Sequence, residues 1–236
     1  MTRQIEGRNA VIEALNSKTK IEEIYVQKDI DDPKINQILK YRFAKLVPKH
    51  ELDKMSKTRR HQGVIAIATD KEKIKLKPFI ENIYDRKENP LIVVLSGAVY
   101  EHNLGTVLRS AECFGAHLVI IPKNTFGLTA NVTKASAGAS EHIPVLQTDL
   151  FQGLKELQQL GLKIIGLNEK SKTKLQNSKL NLPLAIIVGA EDKGINENFN
   201  KYIDEFLKIK MTGKINSLNM AAAASVCLYE VSRQKG

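Results

Sequence analysis

Three short segments in the second half of the chain carry residue types able to hold and orient a ligand. They are His102-Asn103-Leu104-Gly105-Thr106-Val107-Leu108-Arg109-Ser110, then Gly189-Ala190-Glu191-Asp192-Lys193-Gly194, then Ser217-Leu218-Asn219-Met220. Each sets polar groups at a tight turn or helix start that follows an apolar run. Gly189 admits close backbone approach because it has no Cβ. Ser217 and Asn103 stand where helix N-caps are expected, so each can serve its helix, a ligand, or both. Arg109 brings a fixed positive charge and a planar fork of donors suited to an oxyanion or phosphate. It follows Asn103 by almost two turns, which reads as roughly the same side of the helix. Glu191 can orient Asn103 or Arg109, or it can merely finish a turn.

Commoner nucleotide chemistries do not fit. No G-x-G-x-x-G run follows a strand-like segment. Gly189 and Gly194 have the spacing of the outer glycines of a P-loop, but Ile195-Asn196 stand where Lys-Ser/Thr should be. Nothing is then left to grip terminal phosphates and magnesium, so ATP chemistry is not expected. The histidines are scattered, without cysteine partners at ligand spacing, and no metal site is expected.

In this order and at this separation, the three segments resemble the motif set of the SpoU (TrmH-like) branch of the SPOUT RNA methyltransferases. Those enzymes move a methyl group from S-adenosylmethionine to a ribose 2′-hydroxyl of RNA. Asn103, Gly105 and Arg109 match the first motif, and Gly189, Glu191 and Gly194 the second. Ile209-Lys210-Met211 and Ser217-Leu218-Asn219 match the third. Gly7-Arg8-Asn9-Ala10-Val11 and Arg60-His61-Gln62-Gly63-Val64-Ile65-Ala66 look like the edges of a ribosomal-protein-like RNA-binding domain. That domain belongs to the guanosine 2′-O-methyltransferases of large-subunit rRNA. The resemblance therefore covers nearly the whole chain. This chain departs from the family in having Tyr100-Glu101 for Asp-Pro, Lys210 for the proline of the third motif, and Ala221 to Ala224 in the closing helix.

The resemblance implies an α/β trefoil-knot domain, with S-adenosylmethionine bent among three loops. Leu167, Gly189, Ile209, Leu218 and Asn219 would surround the cofactor, and Arg109, Asn103, Glu191 and Ser217 would serve the reaction. Arginine rarely gives up its proton, so Arg109 is better cast as binding the hydroxyl oxygen and neighbouring phosphate than as a base. The family further implies a homodimer through the knot domain. The expected substrate is a guanosine of large-subunit rRNA, with tRNA as the alternative. A non-catalytic RNA-binding or ribosome-assembly factor of the same fold is the alternative from another class.

The elements that must position these residues read as two α/β units. In the first, Arg8 to Leu15 has helical spacing, Ile21 to Val26 reads as a strand and Pro33 to Phe43 as a helix. Lys45 to Val47 reads as a strand, Glu51 to Lys57 as a helix, and Gly63 to Ala68 as a buried strand. Residues 78–89, bracketed by Pro78 and Pro90, read as a linker with a short helix at Phe79–Tyr84. The domains are then residues 1–77 and 90–236. In the second unit Leu91 to Leu95 is a strand covered on both faces. A helix runs from Leu104 to a left-handed stop at Gly115, and His117 to Ile121 is the next strand. Leu150 to Leu160 is helical, Lys163 to Leu167, Leu184 to Val188 and Phe206 to Met211 are strands, and Ser217 to Gln234 closes the chain as a helix. Alternating strands and helices imply a parallel sheet covered on both sides.

Charge points to a polyanionic partner. The net charge is +10, and phosphate contacts release counterions. Residues 1–89 carry 20 Lys+Arg against 14 Asp+Glu, so the smaller part holds the larger excess. Arg59, Arg60 and His61 beside Lys54 and Lys57 are the expected RNA contacts, against the alternative that lysine-rich faces only keep the protein soluble. The resemblance adds Arg8 to that set. No run approaches a membrane span, and Met1 to Glu6 lacks a secretion signal. Cys113 and Cys227 fall on apolar stripes and read as buried free thiols, which suits a cytoplasmic protein.

Overall fold

The computed structural model describes residues 2–97, 100–190, 193–215 and 217–235. The first half runs β1 (Thr2–Glu6), α1 (Arg8–Asn16), β2 (Ile21–Gln27), α2 (Pro33–Ile38), β3 (Ala44–Val47), α3 (Lys49–Met55) and β4 (Val64–Thr69). Its sheet has the order β1-β4-β2-β3, with β4 antiparallel to both neighbours and β2 parallel to β3. Ile5, Ile24, Val26, Val64 and Ala66 pack with Val11, Ile35 and Ile38 of the helices.

The second half runs α4 (Leu76–Asp85), β5 (Leu91–Leu95), α5 (Glu101–Cys113), β6 (Leu118–Pro122), α6 (Ala130–Ala135) and β7 (Val145–Thr148). It continues through α7 (Leu150–Gln159), β8 (Lys163–Leu167), β9 (Leu184–Val188), β10 (Glu205–Leu207) and α8 (Met220–Lys235). Its six strands are all parallel, in the order β10-β8-β9-β5-β6-β7. Side chains alternate across a strand, and the two cores divide accordingly. Leu91, Val93, Leu95, Ile186 and Val188 face α5 and α8, while Ile92, Val94, Ala185 and Ile187 face α4 and α7. This explains why β5 and β9 are apolar at every position. Among the described residues no helix is long and apolar enough to cross a membrane.

Several expectations need correction. Most of the segment read as a linker is helix α4, which buries Leu76, Ile80 and Ile83 against the second sheet. Pro78 does not break it, because a first-turn residue has no intrahelical use for its N–H. The helix expected over Pro33 to Phe43 stops at Ile38, since Phe43 is exposed and supplies no further buried position. The strand expected over Phe206 to Met211 is only Glu205–Leu207. Helix α5 starts at Glu101, so Asn103 lies in its first turn and is not its N-cap. Helix α8 starts at Met220, so Ser217 caps nothing. Cys113 is exposed, on the side of α5 away from its packed stripe; only Cys227 is buried. Gly115 does end α5 as expected: its φ is 69°, and Ala116 N–H reaches back to Ala111 O at 2.8 Å.

The two sheets are joined by a polar contact. Arg3 of β1 donates to both oxygens of Glu141, at 2.8 and 2.5 Å, and Thr19 Oγ1 donates to the same carboxylate at 2.8 Å. Lys71 Nζ donates to Ser140 O. Burial alone would raise the Glu141 pKa, but Arg3, Lys71 and Thr19 outweigh it and hold the carboxyl below its ordinary range. At Gly138 a Cβ would sit 2.7 Å from Glu13 Cβ and 3.1 Å from Ala10 Cα, so α1 packs directly on that turn.

Candidate active site

The carboxyl ends of β8, β9 and β10 open into one cleft of about 500 Å³, a size typical of small-molecule sites. The position follows from the fold, since ligands of open parallel sheets bind beyond the carboxyl ends of the strands. Leu167, Gly189, Ile209, Ser217 and Leu218, all expected from the sequence, line it together. The third loop contributes three of them, between the end of β10 and the start of α8.

Gly189 is required by contact. A Cβ there would stand 2.2 Å from Gly194 C and 2.4 Å from Ile195 N. The loop folds back this closely because Ala190 and Gly194 exchange backbone hydrogen bonds of 3.0 and 2.8 Å, with Gly194 at φ 63°. Glu191 and Asp192 lie outside the described residues. The backbone N–H groups of Ile209 and Leu218 make no hydrogen bond among the described residues, leaving donors at the cleft wall.

Asn219 links this cleft to the first motif. Its Oδ1 accepts from Ala221 N at 2.9 Å and Ala222 N at 3.3 Å, so Asn219, not Ser217, caps α8. Its Nδ2 donates to Asn103 Oδ1 at 3.3 Å. Asn103 is itself 8% exposed, and its burial reflects a packing role beside any contact with ligand. Gly105, two residues on, lets α5 and α6 touch: a Cβ would meet Ala135 Cβ at 2.4 Å.

Arg109 is not on the side of Asn103. Six residues fall about 120° short of two helical turns, so Asn103 points inward while Arg109 is exposed. The guanidinium has no hydrogen bond or ion pair among the described residues and does not line the cleft. Glu101, which replaces the family's proline, accepts from Thr129 Oγ1 at 2.5 Å and Asn131 Nδ2 at 2.8 Å, tying the start of α5 to the start of α6.

The basic loop of the first half separates into free and engaged groups. Arg59 and Arg60 are exposed and their guanidinium groups have no partner among the described residues. Arg8 pairs with Asp32 at 2.5 Å and donates to Gln62 O at 3.0 Å. His61 is 5% exposed; its Nε2 meets Asp53 Oδ1 at 2.9 Å and its Nδ1 accepts from Gly63 N at 3.0 Å. With both ring nitrogens occupied, His61 shapes the loop and offers no group to RNA. That burial is the physical reason it departs from the expected set.

Residues 90–229 match the SpoU rRNA Methylase family model, and residues 4–74 the model described as RNA 2′-O ribose methyltransferase substrate binding. The chain belongs to the SpoU family. A relative of this SpoU protein, a putative TrmH family tRNA/rRNA methyltransferase, YacO, of Bacillus subtilis, is 34% identical over 97% of this chain and 94% of its own. The crystal structure of an RNA 2′-O ribose methyltransferase superposes with TM-score 0.82 at 25% identity, covering 99% of this chain and 89% of the other. The SpoU methyltransferase AviRb of Streptomyces viridochromogenes, solved with the cofactor AdoMet, superposes with TM-score 0.82 at 18% identity, covering 99% and 90%. The fold is that of the SpoU/SPOUT methyltransferases, with a small α/β domain at the N-terminus.

Sequence reasoning missed the cleft residues Glu169 and Glu197. The signal available for Glu169 was its place just past a strand that ends at Leu167, on the side of the sheet where parallel strands put their ligands. Glu197 carried no comparable signal, since it follows the turn after the second motif.

Proposed function

We propose that this SpoU protein transfers a methyl group from S-adenosylmethionine to a ribose 2′-hydroxyl of RNA, with a guanosine of large-subunit rRNA as the substrate. One observation carries the reading: Asn219, capping α8 at the cleft, reaches Asn103 on the helix that carries Arg109. The cofactor loop and the acceptor-side helix are thereby built as one unit. When bound, S-adenosylmethionine supplies an electrophilic methyl group on a sulfonium. Gly189 lets the loop fold back on itself at the cleft wall, and the N–H groups of Ile209 and Leu218, without a partner among the described residues, are donors for adenosine acceptors. Glu169 and Glu197 line the cleft together with Lys170 and Lys193, so charges of both signs face a ligand that itself carries a sulfonium, an ammonium and a carboxylate.

Arg109 binds the acceptor ribose and its phosphate and stabilises alkoxide as it develops, with the hydroxyl proton leaving to that phosphate or to water; Asn103, Glu191 and Ser217 orient the reacting groups. Since Arg109 is exposed and does not line the cleft of its own chain, the proposed homodimer gains a purpose. Ala222, Val226 and Tyr229 form an exposed apolar stripe on α8, beside α5, whose capping Phe114 meets Tyr229, where a second copy can bury it. The N-terminal domain, which ends before α4, grips RNA through Arg59 and Arg60, with Arg8 holding the loop, and the knot domain takes in α4 with the second sheet. We place the protein in the cytoplasm, with its RNA.

The test is Arg109→Ala, assayed for methyl transfer to ribose-containing RNA alongside S-adenosylmethionine affinity. Turnover should fall by about 10²–10³, the cost of one preorganised donor, with cofactor binding retained. Near wild-type turnover would remove Arg109 from the mechanism. Mapping ribose methylation in cells lacking the protein separates rRNA from tRNA.

A further inference from the structure

Beneath the loop that carries Arg59 and Arg60 lies a carboxylate with no part in the chemistry above. Glu6 ends β1 and is fully buried. Its Oε1 accepts from Lys57 N at 2.6 Å and Gln4 Nε2 at 2.8 Å. Its Oε2 accepts from Ser56 Oγ at 2.7 Å and Thr58 Oγ1 at 2.5 Å, and Thr58 N–H lies within 3.3 Å of both oxygens. The hold then passes outward, because Thr58 Oγ1 accepts from Arg60 N at 3.1 Å. Burial by itself would raise the Glu6 pKa, but the donors from Thr58, Ser56 and Lys57 prevail and keep the carboxyl below its ordinary range. It is an anion at neutral pH.

A buried anion is a costly way to fold a loop unless the shape of the loop matters. The shape here is unusual: Arg59 and Gln62 both adopt positive φ, 56° and 54°, a conformation that side-chain-bearing residues seldom take. The far side of the loop is gripped by the other domain, where Lys134 of α6 donates to Arg60 O at 2.5 Å. Residues 56–60 are therefore fixed from below by Glu6 and from the side by the domain that holds the cleft. Only the side chains of Lys57, Arg59 and Arg60 are left exposed and without a partner among the described residues.

We propose that Glu6 is a positioning residue for RNA. Its carboxylate preorganises the loop so that Lys57, Arg59 and Arg60 meet successive phosphates at a fixed place relative to α6 and the cleft. Ordering three long side chains and their backbone in advance removes a cost that binding would otherwise bear. The proposal rests on the reading of the N-terminal domain as the RNA-gripping half.

The experiment is a mutant cycle on the full chain, read by RNA affinity over a salt series and by methylation kinetics. Glu6→Gln keeps the side chain's shape but removes the charge and one acceptor oxygen, and in either orientation its NH2 stands beside Thr58 N–H. RNA affinity should fall about tenfold, the scale of losing two phosphate contacts. The slope of log affinity against log salt should become shallower by roughly 1.4–1.8. KM for RNA should rise while S-adenosylmethionine affinity stays. In an Arg59→Ala/Arg60→Ala background, Glu6→Gln should add less than a twofold effect. An equal loss in both backgrounds, or no loss from Glu6→Gln where Arg59→Ala/Arg60→Ala does lose affinity, overturns the positioning role. No loss from Arg59→Ala/Arg60→Ala overturns instead the assignment of RNA binding to this loop. If Glu6→Gln fails to fold, Thr58→Val, which removes only the hydroxyl linking Glu6 to Arg60, takes its place with the same outcomes.

Discussion

Gly189→Ala should damage the cofactor site through one methyl group. The added Cβ would lie 2.2 Å from Gly194 C, 2.4 Å from Ile195 N and 2.6 Å from Gly194 O, where ordinary contacts stand near 3.5–4.0 Å. All three atoms are backbone, so no side chain can rotate aside. Relief requires the returning strand of the loop to move by more than about 1 Å, which breaks the reciprocal Ala190–Gly194 hydrogen bonds. Two such bonds are worth about 1–3 kcal/mol together, similar to the usual cost of overpacking. Because that strand is a wall of the cleft, a comparable amount should be lost from S-adenosylmethionine binding, about a 5- to 140-fold rise in Kd at roughly 1.4 kcal/mol per decade. Isothermal titration of the cofactor, with a thermal melt of each variant, measures both. Gly213→Ala is the control: it lies in the loop leading from β10 to α8, with open space where its Cβ would go. Gly189→Ala binding cofactor within twofold of wild type would refute the role assigned to the loop. Equal damage from Gly213→Ala would show that the effect is not one of contact.

Three further outcomes are expected. Asn219→Ala removes the cap of α8 and its bond to Asn103, so stability should fall by about 1 kcal/mol and cofactor affinity with it; urea melts and titration check this. Tyr229→Asp places a charge on the exposed stripe of α8 and should convert a dimer to a monomer by light scattering, with the monomer's melting temperature measured alongside. Glu141→Gln leaves Arg3 buried without its anion and should cost about 3–5 kcal/mol at neutral pH. The Glu141 pKa is lowered by folding, so its contribution is present above the ordinary value of 4.5 and lost as pH falls through the folded pKa. Urea melts from acid to neutral pH should show wild-type stability declining in acid, with Glu141→Gln lacking that component.

Strands covered on both faces were the most legible part of the fold. Leu91–Leu95, Lys163–Leu167 and Leu184–Val188 match their apolar runs residue for residue, because nothing but burial decides them. Polar edges were harder to see. Thr2–Glu6 pairs only with β4, and its polar residues give no continuous signal. Short α6 is recognisable only from its Thr129 cap. Of the candidate site, the glycines and the third loop were legible through their resemblance to the family's motifs, each of which is a local run of residues. Facing directions were not: Arg109 and Asn103 diverge by the helical period, and His61 disappears into a hydrogen-bonded turn. Glu6 and Glu141 could not be read at all, because most of their partners lie 50 or more positions away in the chain.

The strand order has a consequence for synthesis. β5 pairs with β9, nearly a hundred residues later, and α5 packs against α8, where Ser110 meets Ser225 at 2.7 Å. Contacts of such long range are slow to form, since chain closure must precede any gain from them. Domains fold as they emerge, the N-terminal one first, so the basic loop can exist while the rest is still being made. The cleft cannot: its wall is completed by Leu218, Met220 and Ala223, which lie far along the chain from the first sheet. A nascent chain would therefore acquire its grip on RNA well before its capacity to hold a cofactor, and a truncated product would be a binder without chemistry.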